Sequence, residues 1–176
     1  RLTNARSSAS NDVMHLQLGT VVHSVVAAIR PTLPEEVRLE IHVEDEDLIM
    51  GNETDLSRVV TNLCRNAIRA MTAGGVLGLS VSREDVTAGD AMVVDGRLAP
   101  GAHVALRVSD TGVGMDEETM MRAFDPFFSR SENGHGLGLL SVRTIVQGHG
   151  GAVRIASKLG SGSCFTVLLP AAPRAQ

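Results

Sequence analysis

Aromatic side chains are nearly missing from this chain. Its 176 residues hold no tryptophan, no tyrosine and four phenylalanines, and three of the four are Phe124, Phe127 and Phe128. A surface that stacks on successive nucleobases needs rings spread along a groove, so these three are poor candidates for that work. Cysteine is equally scarce. Cys64 and Cys164 stand far apart, without the paired spacing of a metal site, and read as reduced core thiols of a cytoplasmic protein. Basic charge is not in excess: 16 Lys and Arg against 20 Asp and Glu give a formal net charge of −4. That removes the clustered positive charge a nucleic-acid backbone demands. No apolar run approaches the roughly 20 residues of a membrane helix, and no signal peptide is visible, so no membrane contact is expected of this stretch. The first residue is Arg1 rather than Met. This reads as a piece of a longer protein whose own membrane attachment stays open.

What is present is an ordinary globular composition, 43% hydrophobic and 20% charged, in a length suited to one domain. Residues 1–15 are read as a linker or the end of a preceding helix, 16–172 as the domain, and 173–176 as a tail. Leu18, Val21, Val22, Val25, Val26 and Ile29 recur at helical spacing until Pro31. Alternation at Val37, Leu39, Ile41 and Val43 predicts a half-buried strand, and Leu48–Met50 a short one. Asn52 or Thr54 is placed to cap a helix with Leu56, Val59, Val60, Leu63, Ala67 and Ala70–Met71 on its apolar face, ended by Gly74 and Gly75. A strand is expected at Leu77, Leu79 and Val81, a long hairpin or excursion over 84–100, and a strand at Val104, Leu106 and Val108 running into Asp110. A short helix opened by Asp116 covers 116–123. A further helix over 136–147 begins inside a glycine cluster. Val153 and Ile155, then Phe165, Val167 and Leu169, form two antiparallel strands joined through 158–163. Strands and helices mixed without strict alternation predict an α+β, two-layer sandwich, a mixed sheet with helices on one face.

Four motifs stand in one order: Asn62-Leu-Cys-Arg-Asn66-Ala67, Asp110-Thr-Gly-Val-Gly-Met115, Phe124-Asp-Pro-Phe-Phe128 and Gly134-His-Gly-Leu-Gly-Leu139. Each alone is a modest signal. The ordered set resembles the N, G1, F and G2 boxes of the GHKL ATPase superfamily, and most closely the catalytic ATP-binding domain of bacterial sensor histidine kinases. The resemblance runs from about Leu18 to Pro170. It implies the Bergerat ATP-binding fold, with ATP and Mg²⁺ as cofactors and phosphoryl transfer as the reaction class.

The residue chemistry agrees with that implication. Asn62 and Asn66, four apart, share one helix face. Mg²⁺ favours oxygen ligands completed by water and phosphate, so Asn66 is the candidate metal ligand, and Asn62 a contact to the metal's water shell or a group that orients the γ-phosphate region. Arg69 matches the basic position of the family's first box and would neutralise phosphate charge. Asp110, at a strand end, can accept a hydrogen bond from the adenine amino group, whereas guanine presents an oxygen there. Gly112 and Gly114 allow positive φ and close backbone approach. Gly136, Leu137 and Gly138 open a helix whose N–H groups suit a triphosphate, with His135 beside them as a ribose, phosphate or plain lid residue. Ser163 stands where the family often has Thr and is read as support for the Asp110 end of the pocket. Taken singly, the same residues read as a polar helix edge, a strand-end turn and a flexible glycine loop. The three phenylalanines read as an apolar anchor for the lid.

Two departures from the family pattern stand out. Relatives that hydrolyse ATP with water, such as gyrase and the heat-shock chaperone, carry a glutamate base where this chain has Asn62, and an amide cannot take a proton from water. The lid resembles the nitrogen-regulator branch of the sensor kinases, but Ser131 replaces that branch's lysine, which leaves Arg130 to supply the charge. None of His15, His23, His42, His103 or His149 is followed by the acidic residue that marks a phospho-acceptor. His149 instead matches a His-Gly-Gly stretch with a structural role. The resemblance therefore implies an acceptor histidine upstream, on a dimerisation domain whose helix end weakly matches Leu2–Arg6, and a response-regulator receiver domain as the later partner. The piece itself is expected to be monomeric. Two other readings compete: a degenerate docking module that binds no ATP, and an anti-sigma-type serine kinase, which would leave an acid-stable phosphoserine.

Overall fold

The computed structural model describes residues 12–44, 47–87, 98–128 and 138–174. The chain opens with strand β1 (Met14–Leu16) and helix α1 (Leu18–Ile29). A 3₁₀ turn over Arg30–Thr32 ends α1, where Pro31 cannot continue the ladder. Strand β2 (Val37–Val43), strand β3 (Ile49–Gly51) and the long helix α2 (Glu53–Ala70) follow. Then come β4 (Gly75–Val86), β5 (Gly101–Asp110), the short helix α3 (Glu117–Arg122), helix α4 (Gly138–Gly148), β6 (Ala152–Lys158) and β7 (Gly162–Pro170).

Five of the strands form one sheet in the order β2-β4-β5-β7-β6. Only β2 and β4 run parallel; the other neighbours are antiparallel. The parallel pair is what the intervening helix α2 makes possible, since parallel strands need a long crossover. Alternation along each strand sends Leu77, Leu79 and Val81, Val104, Leu106 and Val108, and Phe165, Val167 and Leu169 toward the helices. There they share one core with Val22 of α1, Val59, Val60 and Leu63 of α2, and Val142 and Val146 of α4. The core is aliphatic, as a chain so poor in rings requires. Each fully buried Leu or Val contributes about 1.5–3 kcal/mol of apolar transfer free energy. On the opposite face Glu84 accepts from Arg107 and Arg154, each at 2.5 Å, tying β4, β5 and β6 across the sheet.

The expected two-layer α+β sandwich is therefore the observed one, with two differences in its elements. Strand β1 was not expected: Met14 and His15 fall in the stretch read as linker, yet Met14–Leu16 pairs with β3 to form a second, two-stranded sheet. Ile49 of β3 also bridges Ala171 near the chain's end, and the Ala172 N–H donates to the Leu48 carbonyl at 2.6 Å. Of the long hairpin or excursion expected over 84–100, residues 88–97 lie outside the described residues, but β4 and β5 pair antiparallel and reach further than their apolar patterns suggested. Residues 84–86 continue β4, and Val86 lies opposite Gly101.

Candidate functional site

The site is built from the helix-facing end of β5, the glycine loop after it, and two helices that cross above. Helix α2 begins at Asn52, whose side-chain oxygen accepts from the Asp55 N–H at 2.9 Å. Glu53 and Asp55 occupy its first turn and Arg69 its last, the arrangement the helix dipole favours. Its buried stripe leaves Asn62 and Asn66 half-buried at one margin and Arg69 exposed. The Asn62 amide donates to the Gly138 carbonyl at 3.3 Å, so this side chain reaches the first residue of α4.

Asp110 shares the helix-side face of β5 with Val104, Leu106 and Val108, which carries its carboxylate into the layer between sheet and helices. It is 6% exposed. One oxygen accepts from the Gly112 N–H at 2.9 Å, and the Ser163 backbone N–H donates to the same carboxylate. Burial raises the carboxyl's pKa from the ordinary aspartate value, and the two N–H groups pull against that shift. A buried carboxylate with so few donors keeps acceptor capacity for an incoming N–H.

The loop from Thr111 to Met115 is fastened at four points. The Thr111 hydroxyl accepts from the Val76 N–H at 2.9 Å. The Val113 N–H donates to the Ala70 carbonyl, and the Val113 carbonyl accepts from Gly160. The Met115 N–H donates to the Ser157 hydroxyl at 2.8 Å. Gly114 has φ of 68°, as expected of it. Gly112 does not have positive φ; it is a glycine because a Cβ there would lie 2.3 Å from the Ala70 carbonyl oxygen. Its smallness lets the loop press against the last turn of α2, one turn beyond Asn66. Thus Asn62, Asn66, Asp110 and Gly138 belong to one end of the molecule.

Ser163 lies directly opposite Asp110 in the β5–β7 register. Its backbone, not its side chain, serves Asp110. Its hydroxyl sits 2.7 Å from that of Ser157, which in turn donates to the Gly162 carbonyl at 3.0 Å. Since the Ser157 proton is committed there, the Ser163 hydroxyl donates to Ser157. Ser157 was not singled out in the sequence; only a polar residue near the end of an apolar strand hinted at it. Gly162 was also missed: φ is 89° and a Cβ would lie 2.0 Å from the Asp110 carbonyl oxygen.

The phenylalanine box divides. Phe124 is buried in the core, whereas Phe127 is 79% exposed at φ of 63°. Phe128 lies under the Arg122 guanidinium at 4.3 Å, a cation–π contact. Phe127 is therefore not the buried anchor expected of it; the turn after α3 holds it outward. Arg130, His135, Gly136 and Leu137 lie outside the described residues, as does Ser131. Among the described residues no group of three or more His, Cys, Asp or Glu side chains could hold a metal ion.

A family model described as histidine kinase-, DNA gyrase B- and HSP90-like ATPase matches residues 51–173. The chain is 34% identical over 126 residues to sporulation kinase C of Bacillus subtilis, covering 72% of this chain and 26% of that protein. It is 31% identical over 157 residues to the sensor histidine kinase ZraS of Escherichia coli K12, covering 88% of this chain and 30% of that one. Among solved structures, the mycobacterial sensor histidine kinase MprB aligns at a TM-score of 0.73 and 25% identity, over 93% of this chain and 100% of that one. The chain thus spans between a quarter and a third of the curated relatives' length.

Proposed function

The chain belongs to the histidine kinase-, DNA gyrase B- and HSP90-like ATPase family, and from that premise we propose that it is the ATP-binding catalytic domain of a two-component sensor histidine kinase. The observation that carries this reading is Asp110, a buried carboxylate with spare acceptor capacity, flanked by a loop whose glycines let it press against the α2 and β6 backbone. That is a receptor for the exocyclic amine of adenine, and it rejects guanine because an oxygen there would leave the carboxylate unpaired.

Bound Mg-ATP would supply the transferable γ-phosphoryl group and the metal charge that offsets it. Asn66 would hold the metal. Arg69, exposed at the end of α2, would meet phosphate charge, with Arg130 as the lid's cation. The start of α4, with Gly136, Leu137, Gly138 and His135, would receive the triphosphate on backbone N–H groups. Asn62 supports transfer over hydrolysis, since its amide cannot deprotonate water and is already engaged with Gly138. Catalysis by this chain is then positioning and charge neutralisation.

This reading assigns the acceptor to another domain, because none of His15, His23, His42, His103 and His149 is followed by an acidic residue. His103 is buried with its Nδ1 on the Gly101 carbonyl, and both His149 nitrogens are engaged. A histidine-bearing dimerisation domain upstream, followed by a receiver domain, would complete the relay. Among the described residues no helix is long and apolar enough to cross a membrane.

Calorimetric titration of Mg-ATP into this chain and into Asp110→Asn tests the reading. Saturable binding that disappears in the variant is expected. No binding by the parent chain would sink the proposal in favour of a docking module. Acid-stable phosphoserine on a partner would instead favour a serine kinase.

A further inference from the structure

Helices α2 and α4 run antiparallel and are joined at both ends by a side chain of one meeting the backbone of the other. At one end the Asn62 amide meets the Gly138 carbonyl. At the other, His149, just past the end of α4, accepts the Asn52 N–H on Nε2 at 3.1 Å. Its Nδ1 lies 2.7 Å from the Ile145 carbonyl oxygen. A carbonyl only accepts and an N–H only donates, so the two contacts together demand the neutral Nδ1–H tautomer. Between these rungs Leu56 and Val59 of α2 and Val142 and Val146 of α4 are buried in the shared core. Such aliphatic contact is non-directional and does not by itself fix how far one helix slides along the other. The rungs do. About ten residues separate Asn52 from Asn62 and about eleven separate Gly138 from His149, roughly 15 and 16 Å of helix at the usual rise.

We propose that His149 is a positioning residue for the nucleotide site. By holding the far end of α4 against the cap of α2, it sets the stagger that places the α4 N-terminus against Asn62, one turn from Asn66. The inference rests on the nucleotide-binding reading and deepens it. A neighbouring glycine belongs to the same device: a Cβ on Gly51 would lie 3.1 Å from the imidazole Cδ2 and 2.8 Å from Leu56 Cδ1, so the ring seats against bare backbone.

The test compares the parent chain with His149→Phe and His149→Gln, well below each melting midpoint. Two quantities are read: hydrogen exchange of the Asn52 amide without nucleotide, and the Kd for Mg-ATP. His149→Phe keeps a ring and removes both hydrogen bonds. It is expected to speed Asn52 exchange and to weaken Mg-ATP about three- to tenfold, the range of one lost hydrogen bond. His149→Gln, whose carboxamide can still accept the Asn52 N–H, is expected to recover most of both. If His149→Phe fails to fold, Gly51→Ala displaces the ring without deleting it and is expected to move both quantities in the same direction. An unchanged Kd beside faster Asn52 exchange would overturn the proposal and leave His149 a mere fastener of the fold. Failure of the parent chain to bind Mg-ATP would overturn the kinase reading itself. The two failures are thus distinguishable.

Discussion

Asp110 is held where its charge is unwelcome, and that has a signature in stability. Burial raises its pKa in the folded chain above the unfolded value. The native state therefore binds more protons than the unfolded one between those two pKa values, and stability falls as pH rises through that window. Asp110→Asn removes the ionisation. We expect the variant to melt above the parent chain at neutral pH, with the gap closing on acidification, while its ATP binding is lost. Melting midpoints of both proteins across a pH series decide the matter; a gap that widens in acid would contradict it. The glycines separate just as cleanly. Gly162→Ala forces a Cβ into the Asp110 carbonyl at φ of 89°, and should cost about 2 kcal/mol or more. Gly160→Ala, at φ of 78° in open space, should cost about 1 kcal/mol from backbone strain alone. Urea titrations measure the difference. Cys64 is buried, and burial pushes its thiol up to about 12. A thiol reagent should label it at neutral pH only as fast as the chain unfolds, which mass spectrometry can follow against the half-buried Cys164.

Among the elements, α2 carries the most of the site, and its first turn is where its stability is set. Asn52 rather than Thr54 makes the cap. Asn52→Ala should cost about 1 kcal/mol and Thr54→Ala much less; equal losses in denaturant titrations would reject that assignment. Periodicity made α1 and α2 legible because each buries one continuous stripe, and strand alternation did the same for β2, β5 and β7. Strand β1 was not legible, because three residues pairing with three leave no pattern. The far end of β4 was hidden because Arg83 and Asp85 break its apolar run while the ladder continues. The placement of Asn62 and Asn66 on one helix margin and of Asp110 at a strand end was legible because motif spacing is a local property. The reason for Gly112, the Ser157–Ser163 pair and the His149–Asn52 link were not. Each depends on which distant segments the register brings together, and Phe127 faces outward because of its backbone angle rather than its polarity.

At the scale of the whole molecule, the proposed reading gathers Asp110, Asn66 and the start of α4 into one nucleotide site and assigns the phospho-acceptor to another domain. Incubated alone with γ-labelled ATP, this chain should take up no acid-labile phosphate; adding a histidine-bearing partner domain should restore the label. A chain that labels its own histidine would contradict the division. The strand β3 has a consequence of another kind. It is gripped on one side by Leu16 near the start of the described chain and on the other by Ala171 near its close, and it runs directly into the Asn52 cap of α2. The two ends of the fold are thus neighbours, and tension applied to either is borne first by three residues of β-ladder.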